Sequence, residues 1–510
     1  MNNERGLWKS KLGFVLAASG SAIGLGNIVF FPARAYQYGG GAFYIPYFIA
    51  LLIMGVPLMI LEFAFGRMTQ KSYPAAMGKL GGKTWAALGW MGIVNAFIIC
   101  AYYITILGWV VGMWIGCFSS IWKSSAVAAF GIPDSAVSNS MSYFFNMITN
   151  WNTVAYVLLV WALNILMIMW GTKSIEKSVS FCVPLMWIFM IVLIIRGVTL
   201  PHGGQGVMLL FTPDFSIMKS PAVWKGAFGQ IFFTLSLGLG IMVAYGSYLP
   251  RKSDDTNNAM LVSFMNCGFE YIAGLAIFSL LFAFAIVPKA STLSMMFFIV
   301  PEGIAKFPFA VKFFGLLFFT LLFLAGITSS VSLVESFVSS IIDHFNWSRR
   351  RAILVGATFG VIGSIIFALP HVIDPKLDSD GSLGLTLLDL FDHWSFGYGL
   401  LFVGLTEIIL LGWVANIDEI RNFINAHSRH KLGSWFNYLV KFVLPWILLA
   451  ILVLSIMEDF KSGRIYGANM VTGKYPLGII VLAIWLAFVF IGGYLISRLG
   501  NKQIKGIEKQ

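Results

Sequence analysis

The first long apolar segment of the chain is interrupted by Ser19-Gly20-Ser21-Ala22-Ile23-Gly24-Leu25-Gly26-Asn27, a run of small and polar residues. A later apolar segment carries a similar run, Thr234-Leu235-Ser236-Leu237-Gly238-Leu239-Gly240. Each run contains Gly-Leu-Gly, and one glycine weakens a helix by about 1 kcal/mol relative to alanine. The two runs therefore predict two helices that are broken near their middles. The alternative is that these glycines only let neighbouring helices pack closely.

The segments around these runs have the composition of a membrane protein. Of the 510 residues, 58% are hydrophobic and 11% are charged, whereas soluble domains carry about 25% charge. Residues 45–61, 154–170, 313–334 and 479–496 contain no charge at all. Such runs match a bilayer core about 30 Å thick, and without period-2 alternation they indicate helices rather than a barrel. A water-soluble fold is excluded.

The hydropathy pattern predicts an all-α integral membrane protein with about twelve transmembrane helices in one domain. The predicted spans lie near 12–36, 41–68, 87–117, 154–171, 178–198, 222–249, 258–287, 309–344, 352–369, 385–415, 436–457 and 475–498. The breaks fall in the first span of each five-span half, which is typical of inverted repeats with a binding site at the breaks. We therefore predict a first repeat at 12–198, a second at 222–415 and two accessory helices at 436–498. Residues 118–152, 288–308 and 370–384 are predicted outer loops.

The net charge of +12 is distributed in the manner of a membrane protein rather than of a nucleic-acid-binding protein. The basic residues occupy alternate loops and the two ends: Arg5, Lys9 and Lys11; Arg67, Lys71, Lys79 and Lys83; Arg349, Arg350 and Arg351; Lys502, Lys505 and Lys509. This positive-inside pattern places both termini in the cytoplasm of a multi-pass protein of the cell membrane. The expected surroundings are the lipid bilayer, with no nucleic acid.

Broken helices expose backbone groups that ordinarily bond each other. Carbonyl oxygens, together with hydroxyl and amide oxygens, suit a hard cation, and the helix N-termini at the same breaks suit a carboxylate. Polar partners occur at Asn266, at Tyr103 and in the cluster from Thr328 to Ser332. The alternative for each hydroxyl is that it bonds the carbonyl one turn earlier. Taken together, these residues favour joint binding of Na⁺ and an amino acid.

The sequence lacks the motifs that are typical of several other functional classes. The phosphate-binding pattern GxxxxGK[ST] is missing, which argues against ATP-driven transport. No histidine or lysine lies near the middle of a span, which argues against haem ligation. No nucleophile–base arrangement or metal-ligand cluster supports an enzyme, and we predict no catalytic residue. Intramembrane acids occur at Glu62, Glu270, Glu335 and Glu407, and each is either functional or bonded to unwound backbone.

Specific motifs extend over nearly the whole chain. They are Trp8, Leu12-Gly13, Gly24-Leu25-Gly26-Asn27, Phe31-Pro32, Gly39-Gly40-Gly41-Ala42-Phe43, Gly66-Arg67, Gln230-Ile231-Phe232-Phe233-Thr234-Leu235-Ser236, Ala325-Gly326-Ile327-Thr328-Ser329-Ser330 and Gly404-Leu405-Thr406-Glu407. With these motifs the chain resembles the neurotransmitter:sodium symporter family, especially its bacterial amino acid transporters. The resemblance implies the leucine transporter-like fold of two inverted repeats plus accessory helices.

The resemblance also implies two sodium sites and one substrate site. The first sodium site has Ala22, Asn27, Thr234 and Asn266. The second has Gly20, Ile23, Ala325, Thr328 and Ser329. The substrate meets backbone groups, hydroxyls and apolar walls at Ser21, Leu25, Gly26, Ile99, Tyr103, Phe233, Thr234, Ser236, Leu239, Ser329 and Leu333. The resemblance leaves the oligomeric state open, with a homodimer as one option.

The same resemblance implies an inner gate and an outer gate. It also identifies two positions at which this chain differs from other members of the family. The inner gate has Arg5, Trp8, Tyr248 and Asp343, with Arg5 and Asp343 as an ion pair. The outer gate of the family commonly has an arginine where this chain has Phe30, so Arg34 is the substitute partner for Asp392. Gly24 stands where monoamine transporters carry an aspartate, which disfavours substrates without their own carboxylate.

Glu270 stands where chloride-dependent members carry a serine, so no chloride requirement is expected. The sequence predicts a symporter that uses a sodium gradient, with two Na⁺ ions, to import a neutral, hydrophobic or aromatic amino acid. The alternative is a protein of the same fold that senses amino acids without transporting them.

Overall fold

The computed structural model describes residues 6–122, 140–289, 291–368, 383–460, 466–467, 471–472 and 475–499. Within these ranges the chain is almost entirely helical. In the first half the helices are α1 (Lys11–Ala22), α2 (Gly26–Gln37), α3 (Gly40–Thr69), α4 (Tyr73–Gly81), α5 (Lys83–Gly116), α6 (Ser140–Ile148), α7 (Asn152–Ile168), α8 (Thr172–Val198) and α9 (Gly203–Phe211).

The second half follows with ten further helices. They are α10 (Pro221–Thr234), α11 (Ile241–Gly246), α12 (Asp255–Phe282), α13 (Thr292–Ala305), α14 (Val311–Phe345), α15 (Arg349–Ala368), α16 (Gly384–Val414), α17 (Ile417–Asn425), α18 (Trp435–Phe460) and α19 (Leu477–Leu499). A short antiparallel pair joins Val471–Thr472 to Tyr475–Pro476. The predicted all-α class is confirmed.

Among the described residues, nine helices are long and apolar enough to cross a membrane, and the number is up to eleven if each strongly bent pair is one span. The bent pairs are α1 with α2, at 59°, and α6 with α7, at 86°. The predicted span near 222–249 is divided between α10 and α11 and is not among these eleven. The count of twelve therefore stays a prediction, as do the boundaries of the two repeats.

One predicted loop contains a helix. The connection at 288–308 includes Pro288 and Pro301, and within it Thr292–Ala305 forms α13, which is shorter than the candidate membrane-spanning helices. The hydroxyl of Ser291 caps this helix by accepting a hydrogen bond from the Ser294 amide at 3.3 Å. Pro301 follows a π-helical turn at Met295–Ile299 and lies in the first turn of the next α-helical part, where a missing N–H is tolerated. Large parts of the other two predicted loops, 118–152 and 370–384, lie outside the described residues.

The first break is visible in the backbone. Helix α1 ends at Ala22, Ile23 is extended with ψ 97°, and α2 begins at Gly26. A methyl group on Gly24 would lie 3.0 Å from the Tyr103 hydroxyl, whereas a methyl group on Gly26 would meet nothing within 4 Å. The first glycine therefore permits a close approach, and the second leaves space beside the helix start.

The second break has a different backbone. Residues 235–240 separate α10 from α11, and Ser236, Gly238 and Gly240 have φ of 55°, 71° and 68°. Glycine adopts this left-handed region without a steric penalty. Glu62 accepts a hydrogen bond from the freed Gly238 amide at 2.9 Å, which is the structural role weighed for it above.

Close helix packing and one buried ion pair fix the surroundings of the breaks. A methyl group on Gly66 would lie 2.1 Å from the Val243 carbonyl oxygen, so α3 and α11 are in backbone contact there. Arg67 pairs with Asp255 at 2.6 Å, and both side chains are fully buried. Removing one partner of such a pair leaves an uncompensated charge, so this pair ties α3 to the start of α12.

Candidate functional site

A cavity of about 130 Å³ lies between the two helix breaks. It is lined by Ser21, Ala22, Gly24, Leu25, Gly26, Asn27, Phe30, Ile99, Tyr103, Gln230, Phe233, Thr234, Ser236, Leu239, Ile241, Ser329, Leu333 and Phe396. All eleven predicted substrate residues are on this cavity wall. None of the lining residues, all of them in the described part of the chain, carries a charge.

One end of the cavity presents hydrogen-bond donors. The Leu25 amide donates to the Tyr103 hydroxyl oxygen at 3.3 Å, and Gly26 is the first residue of α2. The N-terminal amides of a helix lack partners within the helix and attract anions. The arrangement therefore fits the carboxylate of a small ligand.

The Ser21 carbonyl oxygen, at the end of α1, lies beside one hydroxyl from the second break and one from α14. The Ser21 carbonyl accepts hydrogen bonds from Ser236 at 3.2 Å and from Ser329 at 2.9 Å. Carbonyl and hydroxyl oxygens both accept hydrogen bonds. This part of the wall therefore suits a cationic amine.

The remaining walls are apolar. Ile99, Leu239 and Leu333 are largely buried side chains on three different segments. The ring of Phe233 lies against that of Phe396, with centroids 4.5 Å apart. An apolar side chain would be removed from water against this surface.

The predicted first sodium ligands form one hydrogen-bonded group. The Asn27 amide group donates to Thr234 Oγ1 at 3.0 Å and to Asn266 Oδ1 at 2.8 Å. Asn266 also donates to Thr234 Oγ1, at 3.0 Å, and Ala22 lines the adjacent cavity. Amide and hydroxyl oxygens from three helices are thus within reach of one hard cation.

A buried carboxylate lies next to this group. Glu270 accepts hydrogen bonds from Gln230 at 2.9 Å and from Thr234 at 2.7 Å, both on Oε1, and its Oε2 accepts one from Tyr47. Arg34 donates to Gln230 at 3.5 Å. Glu270 has no exposed surface, so three neutral donors stabilise it where water cannot.

The predicted second sodium ligands lie where α14 crosses the end of α1. Ser329 Oγ lies 3.4 Å from the Ile23 carbonyl and 3.2 Å from the Ala325 carbonyl. The Thr328 hydroxyl bonds the Leu324 and Ala325 carbonyls at 3.1 and 3.0 Å, which is the local bonding weighed above as an alternative. A methyl group on Gly20 would lie 3.7 Å from Thr328 Oγ1, so the two segments are in contact.

Two of the four predicted inner-gate residues, Trp8 and Tyr248, belong to one closed cluster. Trp8 donates through its ring N–H to the Tyr245 carbonyl at 2.9 Å and through its backbone amide to the Tyr248 carbonyl at 3.1 Å. Tyr248 donates to Glu335 at 2.6 Å. Asp343 accepts a hydrogen bond from the Ser72 amide at 2.6 Å. The fourth predicted residue, Arg5, lies outside the described residues.

The predicted outer gate has a different arrangement. The Arg34 guanidinium lies over the Phe30 ring, 4.7 Å from its centroid, and Asp392 accepts a hydrogen bond from the Tyr102 hydroxyl at 2.7 Å. Among the residues that the structure describes, no ion pair joins Arg34 to Asp392. Each charge has another partner.

Two cavity residues were missed by the sequence reasoning. Ile241 is the first residue of α11, and its place directly after the second break was a usable signal. The only sequence feature that pointed to Phe396 was its position one helical turn after Asp392. Its contact with Phe233 depends on how α16 packs against α10.

Comparison with known proteins gives a consistent result. The family model described as the sodium:neurotransmitter symporter family matches residues 5–140 and 136–499. A sodium-dependent transporter of Methanocaldococcus jannaschii is 38% identical over 524 residues, covering 99% of each chain. A sodium- and chloride-dependent taurine transporter of Rattus norvegicus is 28% identical, covering 89% of this chain and 78% of its own.

A solved structure shows the same similarity in three dimensions. The crystal structure of MhsT in complex with L-phenylalanine superposes with a TM-score of 0.74 at 30% identity. The match covers 88% of this chain and 99% of the other. The similarity therefore extends over nearly the whole of that protein.

Proposed function

This chain belongs to the sodium:neurotransmitter symporter family, and from that premise we propose that it imports a neutral, hydrophobic or aromatic amino acid. It is a sodium-coupled, multi-pass membrane transporter. The substrate class and the inward direction of transport are the parts that we propose beyond this. The observation that carries it is the cavity at the two breaks, which has donors at one end, acceptors beside them and uncharged walls.

The absence of charge on these walls favours a zwitterion. An ion without a partner is costly to bury, so a ligand with a net charge gains no compensation from the lining residues. An α-amino acid has its own balanced charges, which fit the Leu25–Gly26 amides and the Ser21 carbonyl. Ile99, Leu239 and Leu333 would then meet an apolar side chain. The crystal structure of MhsT that this chain resembles contains L-phenylalanine.

We propose that two Na⁺ ions accompany the substrate. The first is assigned to Asn27, Thr234 and Asn266 with the Ala22 carbonyl, so that the substrate carboxylate is close enough to complete its shell. The second is assigned to Thr328 and Ser329 with carbonyls of Gly20, Ile23 and Ala325. Both cations would bridge a broken helix to an unbroken one, which supports coupling between ion binding and helix movement.

We further propose that transport needs no chloride. Glu270 places a carboxylate beside the first cation group, and opposite charges attract strongly where the dielectric constant is low. A fixed carboxylate of this kind supplies the negative charge that an inorganic anion brings elsewhere. A sodium- and chloride-dependent taurine transporter of Rattus norvegicus is among the relatives of this chain, so the proposal distinguishes this chain from that relative.

The closed cluster around Trp8 and Tyr248 supports alternating access with an inner gate. With both termini in the cytoplasm, this cluster would close the cytoplasmic end of the path. The test is uptake by purified protein in proteoliposomes loaded without Na⁺, measured for a panel of amino acids with inward Na⁺ or K⁺ gradients. Concentrative uptake of leucine, methionine or phenylalanine that requires Na⁺ supports the proposal. Uptake only of charged substrates, or binding without accumulation, contradicts it.

A further inference from the structure

An aromatic ring and a charged residue lie one helical turn apart on each of two helices that border the cavity. On α2 the pair is Phe30 and Arg34, and on α16 it is Phe396 and Asp392. Both rings line the cavity, whereas neither charged side chain does. In each of these two pairs, therefore, the residue that borders the cavity is the apolar one.

The two charged residues have partners other than each other. Arg34 lies over the Phe30 ring at 4.7 Å and donates to Gln230 at 3.5 Å. Asp392 accepts from Tyr102 at 2.7 Å. Because these contacts hold each charge on its own side, an ion pair does not close the cavity here.

The ring of Phe396, on α16, contacts a ring on the neighbouring helix α10. Its centroid is 4.5 Å from that of Phe233, a separation at which tilted rings attract each other beyond simple burial. Phe233 belongs to the last turn of α10, directly before the second break. The contact therefore joins α16 to the broken helix at the wall of the cavity.

The size of the cavity gives this contact a second consequence. The cavity volume of about 130 Å³ is close to that of the roughly 150 Å³ cavity that holds benzene. An indole side chain needs more room than this, and the ring of Phe396 occupies the adjacent volume. Rotation or removal of that ring would enlarge the cavity.

We propose that Phe396 is the lid of the substrate cavity and sets its upper size limit, so that the outer gate of this chain is aromatic rather than ionic. The inference rests on the proposed function, because it concerns the same amino acid site. It assigns to Phe396 two measurable effects, on the rate of substrate release and on the preference between small and large side chains. Arg34 and Asp392 have a secondary role in release.

The test measures Na⁺-dependent binding and release of valine, leucine and tryptophan by the full-length purified protein. Phe396→Ala is expected to speed leucine release about ten-fold, since most effects on affinity appear in the dissociation rate, and to raise tryptophan affinity relative to valine about five-fold or more. Phe396→Leu should give smaller changes in the same directions and serves if the alanine variant does not fold. The matched control is Phe402→Ala on the same helix, whose ring packs on Phe490 at 5.3 Å and not on the cavity; it should change neither quantity.

The possible outcomes separate the two proposals. If wild type binds no amino acid in Na⁺, both the proposed function and the lid are overturned. If wild type binds amino acids but Phe396→Ala and Phe396→Leu leave release and the tryptophan-to-valine ratio unchanged, only the lid is overturned. The lid is likewise overturned if Asp392→Asn speeds release more than Phe396→Ala, because that result identifies an ionic gate.

Discussion

The Thr234 hydroxyl donates a hydrogen bond to Glu270 Oε1 at 2.7 Å, and its oxygen accepts hydrogen bonds from Asn27 and Asn266. One hydroxyl group thus connects the proposed ligands of the first sodium ion to a buried carboxylate. A change in the charge of Glu270 would therefore act on that ion directly, through the electric field, and also through this hydroxyl.

The first prediction concerns chloride. Wild type should transport equally well in chloride and gluconate, because Glu270 supplies the negative charge. Glu270→Ser removes this charge and leaves a hydroxyl that can donate to an anion. The variant should lose uptake in gluconate and recover part of it in chloride. Glu270→Gln, which keeps the size but also lacks the charge, separates charge from packing. A wild-type protein that stops without chloride would refute the assignment.

The second prediction concerns sodium. Asn27→Ala and Thr328→Val each remove one oxygen from a proposed site, and a hard cation gains nothing from a methyl group. The Na⁺ concentration for half-maximal uptake should rise about ten-fold or more, equivalent to about 1.4 kcal/mol. Thr358→Val is the control, because the exposed Thr358 hydroxyl also bonds the carbonyl four residues earlier, at 2.8 Å. Unaltered sodium dependence in both site variants would show that the ligands are misassigned.

The third prediction concerns the close approach at the first break. A methyl group on Gly24 would lie 3.0 Å from the Tyr103 hydroxyl and 3.1 Å from Ser329 Oγ. Overpacking of this kind costs about 1–3 kcal/mol, so Gly24→Ala should weaken amino acid binding about five- to one hundred-fold. Gly268→Ala, whose added methyl would be 3.8 Å from Trp187, should bind normally. Equal affinity of the two variants in an equilibrium binding assay would contradict the proposed substrate position.

The fourth prediction concerns the inner gate. Asp343→Ala removes the acceptor of the Ser72 amide and the proposed partner of Arg5. An exposed ion pair contributes only about 0–1 kcal/mol, so the expected effect is a shift between conformations. Labelling of a cysteine placed at the buried Ser247 should become up to about five-fold faster. Asp418→Ala, which removes an exposed acid paired with Arg421, provides the control. If both variants label at the wild-type rate, Asp343 is not part of the gate.

Local sequence predicted the parts of the site that lie next to the breaks. Asn27 and Thr234 are adjacent to the two Gly-Leu-Gly runs, so their meeting follows once both helices are broken at the same depth. The sequence left two roles open for Glu62, one functional and one structural. The structure shows that Glu62 accepts a hydrogen bond from the Gly238 amide. The hydrogen-bond partner of Glu62 depends on the backbone conformation of residues 235–240. Because these residues are not helical, helical periodicity could not predict it.

The remaining features depend on packing between distant segments. Phe396 was not predicted because no spacing rule links it to Phe233, which is 163 positions earlier in the sequence. The expected pairing of Arg34 with Asp392 followed from the family resemblance, whereas in the structure a ring and a hydroxyl provide their contacts. The helix within the predicted loop at 288–308 was also not foreseen, since Pro301 follows a π-helical turn inside α13.

The uncharged wall of the cavity has an electrical consequence. A zwitterion contributes no net charge, and no lining residue adds a fixed charge that would move with it. Any current during transport would then be carried by the Na⁺ ions. Each elementary charge that crosses the membrane contributes about 2.3 kcal/mol per 100 mV. The membrane voltage would therefore drive accumulation by the same amount for every amino acid accepted, whatever its side chain.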